Sequence, residues 1–237
     1  DLDTINIYPI ADLHIGSAHQ NMKELVALLE IVKNDSNGYI VLNGDLINNA
    51  IKTSVSDTYT ERLSPEKQID LLVDLFKPLV HKILSVTKGN HENRTYRLTG
   101  IDIIKYFCYR LGLEDLYDED GNVVFVSFGK SRGRETVRNT FSLFHRHGHG
   151  GGSTIGGKAN ALNKMSRQVQ ANIYVHSHTH SPIIFKEDYF LANNANKGLS
   201  RVSRLFVNTN AYEGFEGYAL SMGLTPSNGE YIVIKVW

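Results

Sequence analysis

The stretch Tyr39-Ile40-Val41-Leu42-Asn43-Gly44-Asp45 decides the fold class. A short apolar run reads as a strand, and the Gly-Asp that ends it leaves a carboxylate at the strand's carboxyl end. The same layout stands on either side. Upstream, Ile5-Asn6-Ile7-Tyr8-Pro9-Ile10 runs into Ala11-Asp12-Leu13-His14, and downstream Ile83-Leu84-Ser85-Val86 runs into Gly89-Asn90-His91-Glu92. Helices separate the strands. Met22, Leu25, Val26, Leu28, Leu29 and Val32 recur at helical spacing, and after Ser64-Pro65, a capping residue and a first-turn proline, so do Leu71, Leu72, Leu75, Phe76 and Leu79. Three successive βα units thus deliver polar residues at the carboxyl ends of their strands, the edge where open α/β sheets bind ligands.

The second half carries more strands. Val123 to Phe128, Thr140 to Phe144, Ile173 to Val175, Ile183 to Phe185, Leu205 to Val207 and Tyr231 to Val236 have strand character, the last preceded by the turn signal Ser227-Asn228-Gly229. Asn160 to Ala171 reads as a helix. No repeat of fixed period and no long linker interrupts the chain, which reads as one domain over residues 1–237. The expected architecture is α/β, with two mixed sheets sharing a core and helices outside.

Composition excludes several classes. With 237 residues, 41% of them apolar, the chain has material for a core, so disorder and a disulfide-stapled miniprotein are ruled out. The single cysteine, Cys108, forms no intrachain bridge and fits a reducing compartment. No apolar run reaches the ~18 residues of a membrane span, and Asp1-Leu2-Asp3 lacks the features of a signal peptide. The chain reads as soluble and cytoplasmic, with residues trimmed before Asp1 and no obligate protein partner in evidence. Its 25 basic and 25 acidic residues cancel, so any nucleic-acid role rests on a local patch.

The ten histidines carry the functional signal. Most stand in tight groups just after a short apolar strand: His14, His91, His145-Arg146-His147-Gly148-His149 and His176-Ser177-His178-Thr179-His180. Strand alternation sends residues i and i+2 to one side, so Asp12 with His14, and His178 with His180, can converge on one point. Together with Asp45 and Asn90 they supply nitrogen and oxygen donors. That donor set suits manganese, iron or zinc and disfavours a thiolate site.

Asp12-Leu13-His14, Gly44-Asp45, Gly89-Asn90-His91-Glu92, His147-Gly148 and His178-Thr179-His180, in that order, resemble the five-block signature of the calcineurin-like metallophosphoesterase superfamily. The resemblance spans most of the chain. It implies a four-layer α/β sandwich holding two divalent metal ions, manganese before iron or zinc, and hydrolysis of phosphate esters. Carried over by residue, it implies one ion on Asp12, His14 and His180, the other on Asn90, His147 and His178, and Asp45 bridging both. His91 would protonate the leaving oxygen, Asn90 and His91 would also meet the substrate, and two ions ~3.5 to 4 Å apart would clamp the phosphoryl oxygens while a shared water, acidified to hydroxide, attacks in line.

The chain departs from the pattern in two places. Ser177 stands where the last block usually has glycine. Asn48, Asn49 and Ala50 replace the second Asp and the Arg-Gly of the protein serine/threonine phosphatase branch, which argues against that branch and leaves the group orienting His91 unidentified. His145 and His149 compete with His147 for the ligand role; His147 is favoured because it precedes glycine. On the substrate side, Arg94 is the expected phosphate contact. The run Gly148 to Gly157, six of its ten residues glycine, reads either as a phosphate-binding layout before a helix or as a surface loop. Lys130, Arg132, Arg134 and Arg138 read as a solvated face or as a nucleic-acid track. The expected substrate is a phosphodiester, in a nucleic acid or nucleotide; the alternatives are a phosphomonoester or a metal-binding scaffold without catalysis.

Overall fold

A computed structural model of the chain describes residues 3–52, 54, 58–129, 131–132, 135–136, 139–150, 154–214 and 230–237. The side chains of Lys130, Arg132, Arg134 and Arg138, the turn Ser227-Asn228-Gly229, and Gly151, Gly152 and Ser153 of the glycine-rich run lie outside the described residues. Along the chain stand β1 (Ile5–Ile10), α1 (Met22–Asn34), β2 (Gly38–Asn43), α2 (Pro65–Phe76), β3 (Ile83–Thr87), α3 (Asn90–Thr99), α4 (Ile103–Leu111), β4 (Tyr117–Asp118) and β5 (Asn122–Phe128). They are followed by β6 (Ser131–Arg132), β7 (Glu135–Thr136), β8 (Asn139–His145), α5 (Ile155–Asn163), β9 (Ile173–His176), β10 (Ile183–Asn193), β11 (Gly198–Asn208) and β12 (Ile234–Val236).

Two five-stranded sheets result, ordered β12-β1-β2-β3-β4 and β10-β11-β9-β8-β5, and β6 pairs with β7 as a separate ribbon. In the first, β1 to β4 are parallel and β12 is antiparallel. In the second, β8, β9 and β11 are parallel while β5 and β10 run against them. Both sheets are therefore mixed.

Residue alternation sorts the core into three slabs. From β1, Ile5 and Ile7 point between the sheets while Tyr8 and Ile10 point to the helices; from β2, Val41 faces inward and Ile40 and Leu42 outward. The second sheet does the same: Leu143, Ile173, Val175 and Val207 meet the first sheet, whereas Phe144, Tyr174 and Phe206 turn to Leu162 and Met165 at and just beyond α5. Helices α1, α2 and α4 cover the outer face of the first sheet. The order helix, sheet, sheet, helix is the four-layer sandwich expected from the sequence.

Several boundaries differ from the sequence reading. Ser64 caps α2 as expected, its side chain accepting from the Lys67 N–H. The helix expected over Asn160 to Ala171 instead begins at Ile155, where Thr154 accepts from the Gly157 N–H, and tightens into a 3-10 turn over Lys164–Arg167. α3 and α4 were not foreseen. The first carries the polar sequence Asn90–Thr99 with no apolar stripe, and the second is set by its ends, Asp102 accepting from Ile104 and Lys105 N–H and Gly112 closing it in the left-handed region. The segments expected at Ile183 to Phe185 and Leu205 to Val207 are the feet of a hairpin of two eleven-residue strands, with Phe206 and Val207 buried and an exposed outer part that carries Phe190, Leu191 and Leu199.

The packing makes a direct prediction. Phe76 is fully buried and meets Phe107 edge-on at 6.4 Å between ring centres, while Phe125 is 74% exposed. In urea unfolding, Phe76→Ala should cost about 3 to 5 kcal/mol and Phe125→Ala under about 1 kcal/mol. Equal costs would contradict this placement of the core.

Candidate metal centre

The polar residues at the carboxyl ends of β1, β2, β3, β8 and β9 meet at the seam between the sheets. Backbone geometry singles out the same residues. Among the described residues, seven other than glycine have positive φ, and five of them are Asp12 (51°), His14 (46°), Asp45 (49°), His178 (71°) and His180 (50°). Such conformations cost of order 1 to 3 kcal/mol each and persist only where the surroundings over-determine them. The loops that turn these side chains inward are knit together. Asp12 N–H donates to the Gly44 carbonyl (3.0 Å), and Leu13 and His14 N–H donate to the Asp45 carbonyl (2.8 and 3.1 Å). Across the seam, the His178 N–H donates to Asp12 Oδ2 at 3.0 Å.

Three donor groups form, each with its atoms within 4.8 Å of one another: Asp12, His14 and His180; Asp45, His147 and His178; and His14, Asp45 and His91. Asn90 joins the second group, its Oδ1 lying 3.2 Å from His147 Nε2. Asp45 stands between the groups. Its Oδ1 accepts from the His91 N–H at 2.8 Å, and its Oδ2 lies 3.1 Å from His147 Nε2 and 3.8 Å from His91 Nε2. All seven residues named from the sequence as ligands, together with His91, thus come together, and Arg94 reaches His91 Nε2 through its Nη2 at 3.0 Å.

The three histidines of the His145–His149 cluster differ in their partners. Both ring nitrogens of buried His145 are engaged, Nδ1 with Asn43 Oδ1 (2.9 Å) and Nε2 with Ser85 Oγ (2.8 Å), and burial pushes its pKa down to about 3. His149 is exposed, with its Nδ1 3.3 Å from Arg146 Nη2. His147 points into the site, its Nδ1–H donating to the Asn43 carbonyl at 2.8 Å so that Nε2 is presented.

Several supports were not foreseen. Glu92, buried in the first turn of α3, accepts from four main-chain N–H groups: Leu46 (2.6 Å), Gly89 (2.7 Å), Asp45 (3.1 Å) and Ile47 (3.1 Å). Burial and the Asp45 charge push its pKa up to about 7 against the pull of those donors. Gly89 is required beside it, since a Cβ there would lie 2.1 Å from Asp45 Oδ1. The group orienting His91 is a main-chain atom, the Asn48 carbonyl, 2.7 Å from Nδ1. Ser177 puts its hydroxyl to use, accepting from Asn43 Nδ2 (2.7 Å) and Thr209 Oγ1 (2.8 Å). Asn208 holds the last loop, its Nδ2 donating to Thr179 Oγ1 (2.9 Å) and the Ser181 carbonyl (2.6 Å). Glu92 and Ser177 stand inside the motif blocks; Asn43, Asn48 and Asn208 have no signal of that kind.

The donor set fits cations. His14 Nδ1 is buried without a hydrogen-bond partner, Asp12 Oδ1 faces the ring nitrogens His180 Nε2 at 3.3 Å and His147 Nε2 at 4.0 Å, and His14 Nε2 faces His180 Nε2 at 3.3 Å, a pair in which at most one nitrogen can donate to the other. Burial opposes ionisation of the two carboxylates, but the His180 ring holds Asp12 down to about 2, and the His147 ring holds Asp45 well below the ordinary range. The centre therefore gathers two buried carboxylates with the buried imidazoles of His14, His147 and His180, where a divalent cation can take the place of ring protons.

The sequence pattern of the calcineurin-like phosphoesterase family matches residues 5–182, and the chain belongs to that family. Comparison with curated protein sequences finds no match. Among solved structures, the chain is similar to a conserved uncharacterized protein, a predicted phosphoesterase, from Streptococcus pneumoniae TIGR4, with 14% identity, a TM-score of 0.41, and 100% of this chain and 85% of that one covered. It is also similar to Vacuolar Protein Sorting 29 from Cryptosporidium parvum (16% identity, TM-score 0.41, 98% and 97% covered). Wild-type Vps29 complexed with zinc from Entamoeba histolytica is a third (13% identity, TM-score 0.44, 98% of each chain covered). No helix among the described residues is long and apolar enough to cross a membrane.

His145 offers a test through pH. A histidine held near 3 in the fold and near ~6.5 in the unfolded chain binds fewer protons when folded, so its contribution is complete above ~6.5 and falls away as pH drops toward 3. The slope from one such group is about 1.4 kcal/mol per pH unit. For chelated protein unfolded in urea at stepped pH below neutrality, His145→Gln should show a slope shallower than wild type by about one proton. Identical slopes would mean that His145 is protonated in the fold.

Proposed function

We propose that the chain is a dinuclear metal-dependent phosphodiesterase acting on a nucleic acid or a nucleotide. The observation that carries this reading is the convergence of two buried donor groups on either side of Asp45. In this reading Asp12, His14 and His180 would hold one divalent cation, Asn90, His147 and His178 would hold the other, and Asp45 would serve both. Nitrogen and oxygen donors without a thiolate favour manganese, with iron and zinc next.

When bound, two divalent cations supply positive charge beside the phosphoryl oxygens and bring the pKa of a water toward neutrality. The chain's own residues do the rest. Asn90 contributes a neutral oxygen, which leaves more net positive charge for an anionic ester than a carboxylate would. Glu92 fixes the main chain on which Asp45 and the start of α3 sit, and so the distance between Asp45 and His91. His91, after taking up a proton from solvent on Nε2, would pass it to the leaving oxygen from that nitrogen, because its Nδ1–H is committed to the Asn48 carbonyl.

In the substrate-free fold that nitrogen meets Arg94, and burial holds the ring neutral, its pKa lowered to about 3. An arriving phosphate attracts the Arg94 guanidinium to its own oxygens and places negative charge beside the imidazole. Both changes raise the ring's proton affinity. Arg94 thereby serves as substrate contact and as gate on the acid.

The experiment uses leaving groups. General acid catalysis contributes ~10² to 10⁴-fold, and mainly where the departing oxygen is basic. Manganese-loaded His91→Ala should keep most activity on bis-p-nitrophenyl phosphate, whose nitrophenolate leaves unaided, and lose nearly all activity on a dinucleotide. Exhaustive chelation of wild type should abolish both activities, and manganese should restore them. Equal losses on the two substrates would remove His91 from the acid role. Activity that survives chelation would end the dinuclear reading, and faster hydrolysis of p-nitrophenyl phosphate than of the bis ester would make the protein a monoesterase.

A further inference from the structure

A cavity of about 440 Å³ lies on the α5 side of the second sheet, next to the loops that carry His147 and His178. It shares walls with the two donor loops: Gly148 directly follows His147, and His176 precedes His178 by two residues. The chain passes tightly there, since Gly148 has φ +93° and a Cβ on it would lie 2.1 Å from His176 Nε2. Arg146, His149, Lys164 and Gln168 line the remainder.

The sign of this lining is distinctive. No carboxylate lines it among the described residues, whereas the cavity beside α4 is bordered by Asp102, Glu114, Asp118, Glu119 and Asp120. Arg146 is also pre-oriented. Its N–H donates to the Val175 carbonyl (3.1 Å) and its carbonyl accepts from Asn43 Nδ2 (3.0 Å), which ties its backbone to both sheets. Its guanidinium donates to Gln168 Oε1 at 3.1 Å and lies 3.3 Å from His149 Nδ1, and neither partner is a carboxylate that would cancel its charge. A fixed guanidinium and a lysine in a cavity of ordinary ligand size suit phosphate oxygens.

We propose that this cavity binds a second phosphate of the substrate, one linkage away from the ester that is hydrolysed. The proposal rests on the phosphodiesterase reading and narrows it. The preferred substrate is an oligonucleotide, or a nucleotide diester with a further phosphate, and a simple dialkyl or diaryl phosphate engages the metal centre without the cavity.

The test is binding, measured by calorimetry on manganese-loaded protein with phosphorothioate-linked dithymidine, which resists hydrolysis, with and without a terminal phosphate at either end. Wild type should bind one terminally phosphorylated form about tenfold or more tightly than the unphosphorylated dimer, the size expected of charge-assisted hydrogen bonds. R146M/K164M should bind all three forms alike. Lys164 is exposed, so Lys164→Met alone should fold normally and lose part of the preference. Equal binding of all forms by wild type, or an undiminished preference in the double variant, would overturn the proposal; the latter would place the extra phosphate on the metals. If wild type fails to hydrolyse the ordinary phosphodiester dimers, the catalytic reading falls on its own, because the binding preference is measured without turnover.

Discussion

Four main-chain N–H groups converge on the buried carboxylate of Glu92, and the geometry of the centre depends on that convergence. Three of the donors belong to the loop after β2 and the fourth to Gly89 before α3. One side chain therefore locks two strand ends together and fixes Asp45 against His91. A buried N–H left without an acceptor costs about 1 to 3 kcal/mol, so the arrangement resists loosening at any one bond. It also supplies the over-determination that lets Asp12, His14 and Asp45 stay in the left-handed region.

The second sheet is joined to this assembly by two asparagines that end strands. Asn43, at the end of β2, bonds to His145, His147, Arg146 and Ser177, all beyond or at the ends of β8 and β9. Asn208, at the end of β11, holds His176 and the loop through Thr179 and Ser181. The strand ends that bear the candidate ligands are thus positioned by polar bonds across the seam, above an apolar slab that packs the sheets face to face. This division explains why the site can hold strained loops and buried carboxylates without weakening the core beneath it.

Much of this was legible in the sequence, for identifiable reasons. Apolar runs such as Tyr39 to Leu42 mark strands because both faces are covered, and the residues right after them fall at one sheet edge, so Asp12, Asp45, Asn90 and the His178-His180 pair could be named in advance. Most of what escaped lacks that kind of signal, although Ile104, Phe107 and Cys108 of α4 do recur at helical spacing. The partner of His91 is a carbonyl, which every residue possesses. α3 has no apolar face, and its start is set by Gly89 and Glu92. The outer part of the β10–β11 hairpin is mostly exposed, so its pairing from Ile183–Asn208 out to Asn193–Gly198 is not marked by a buried apolar face. Asn43 and Asn208 are ordinary polar residues until the fold brings their partners within reach.

The central claim is that strain and hydrogen bonding on both sheets aim seven side chains at two adjacent cations. Anomalous diffraction from crystals grown with manganese measures this most directly. The account predicts two peaks per chain, one contacting Asp12, His14 and His180 and the other Asn90, His147 and His178, with Asp45 touching both. A single peak, or a pair that leaves Asp45 on one ion only, would contradict it.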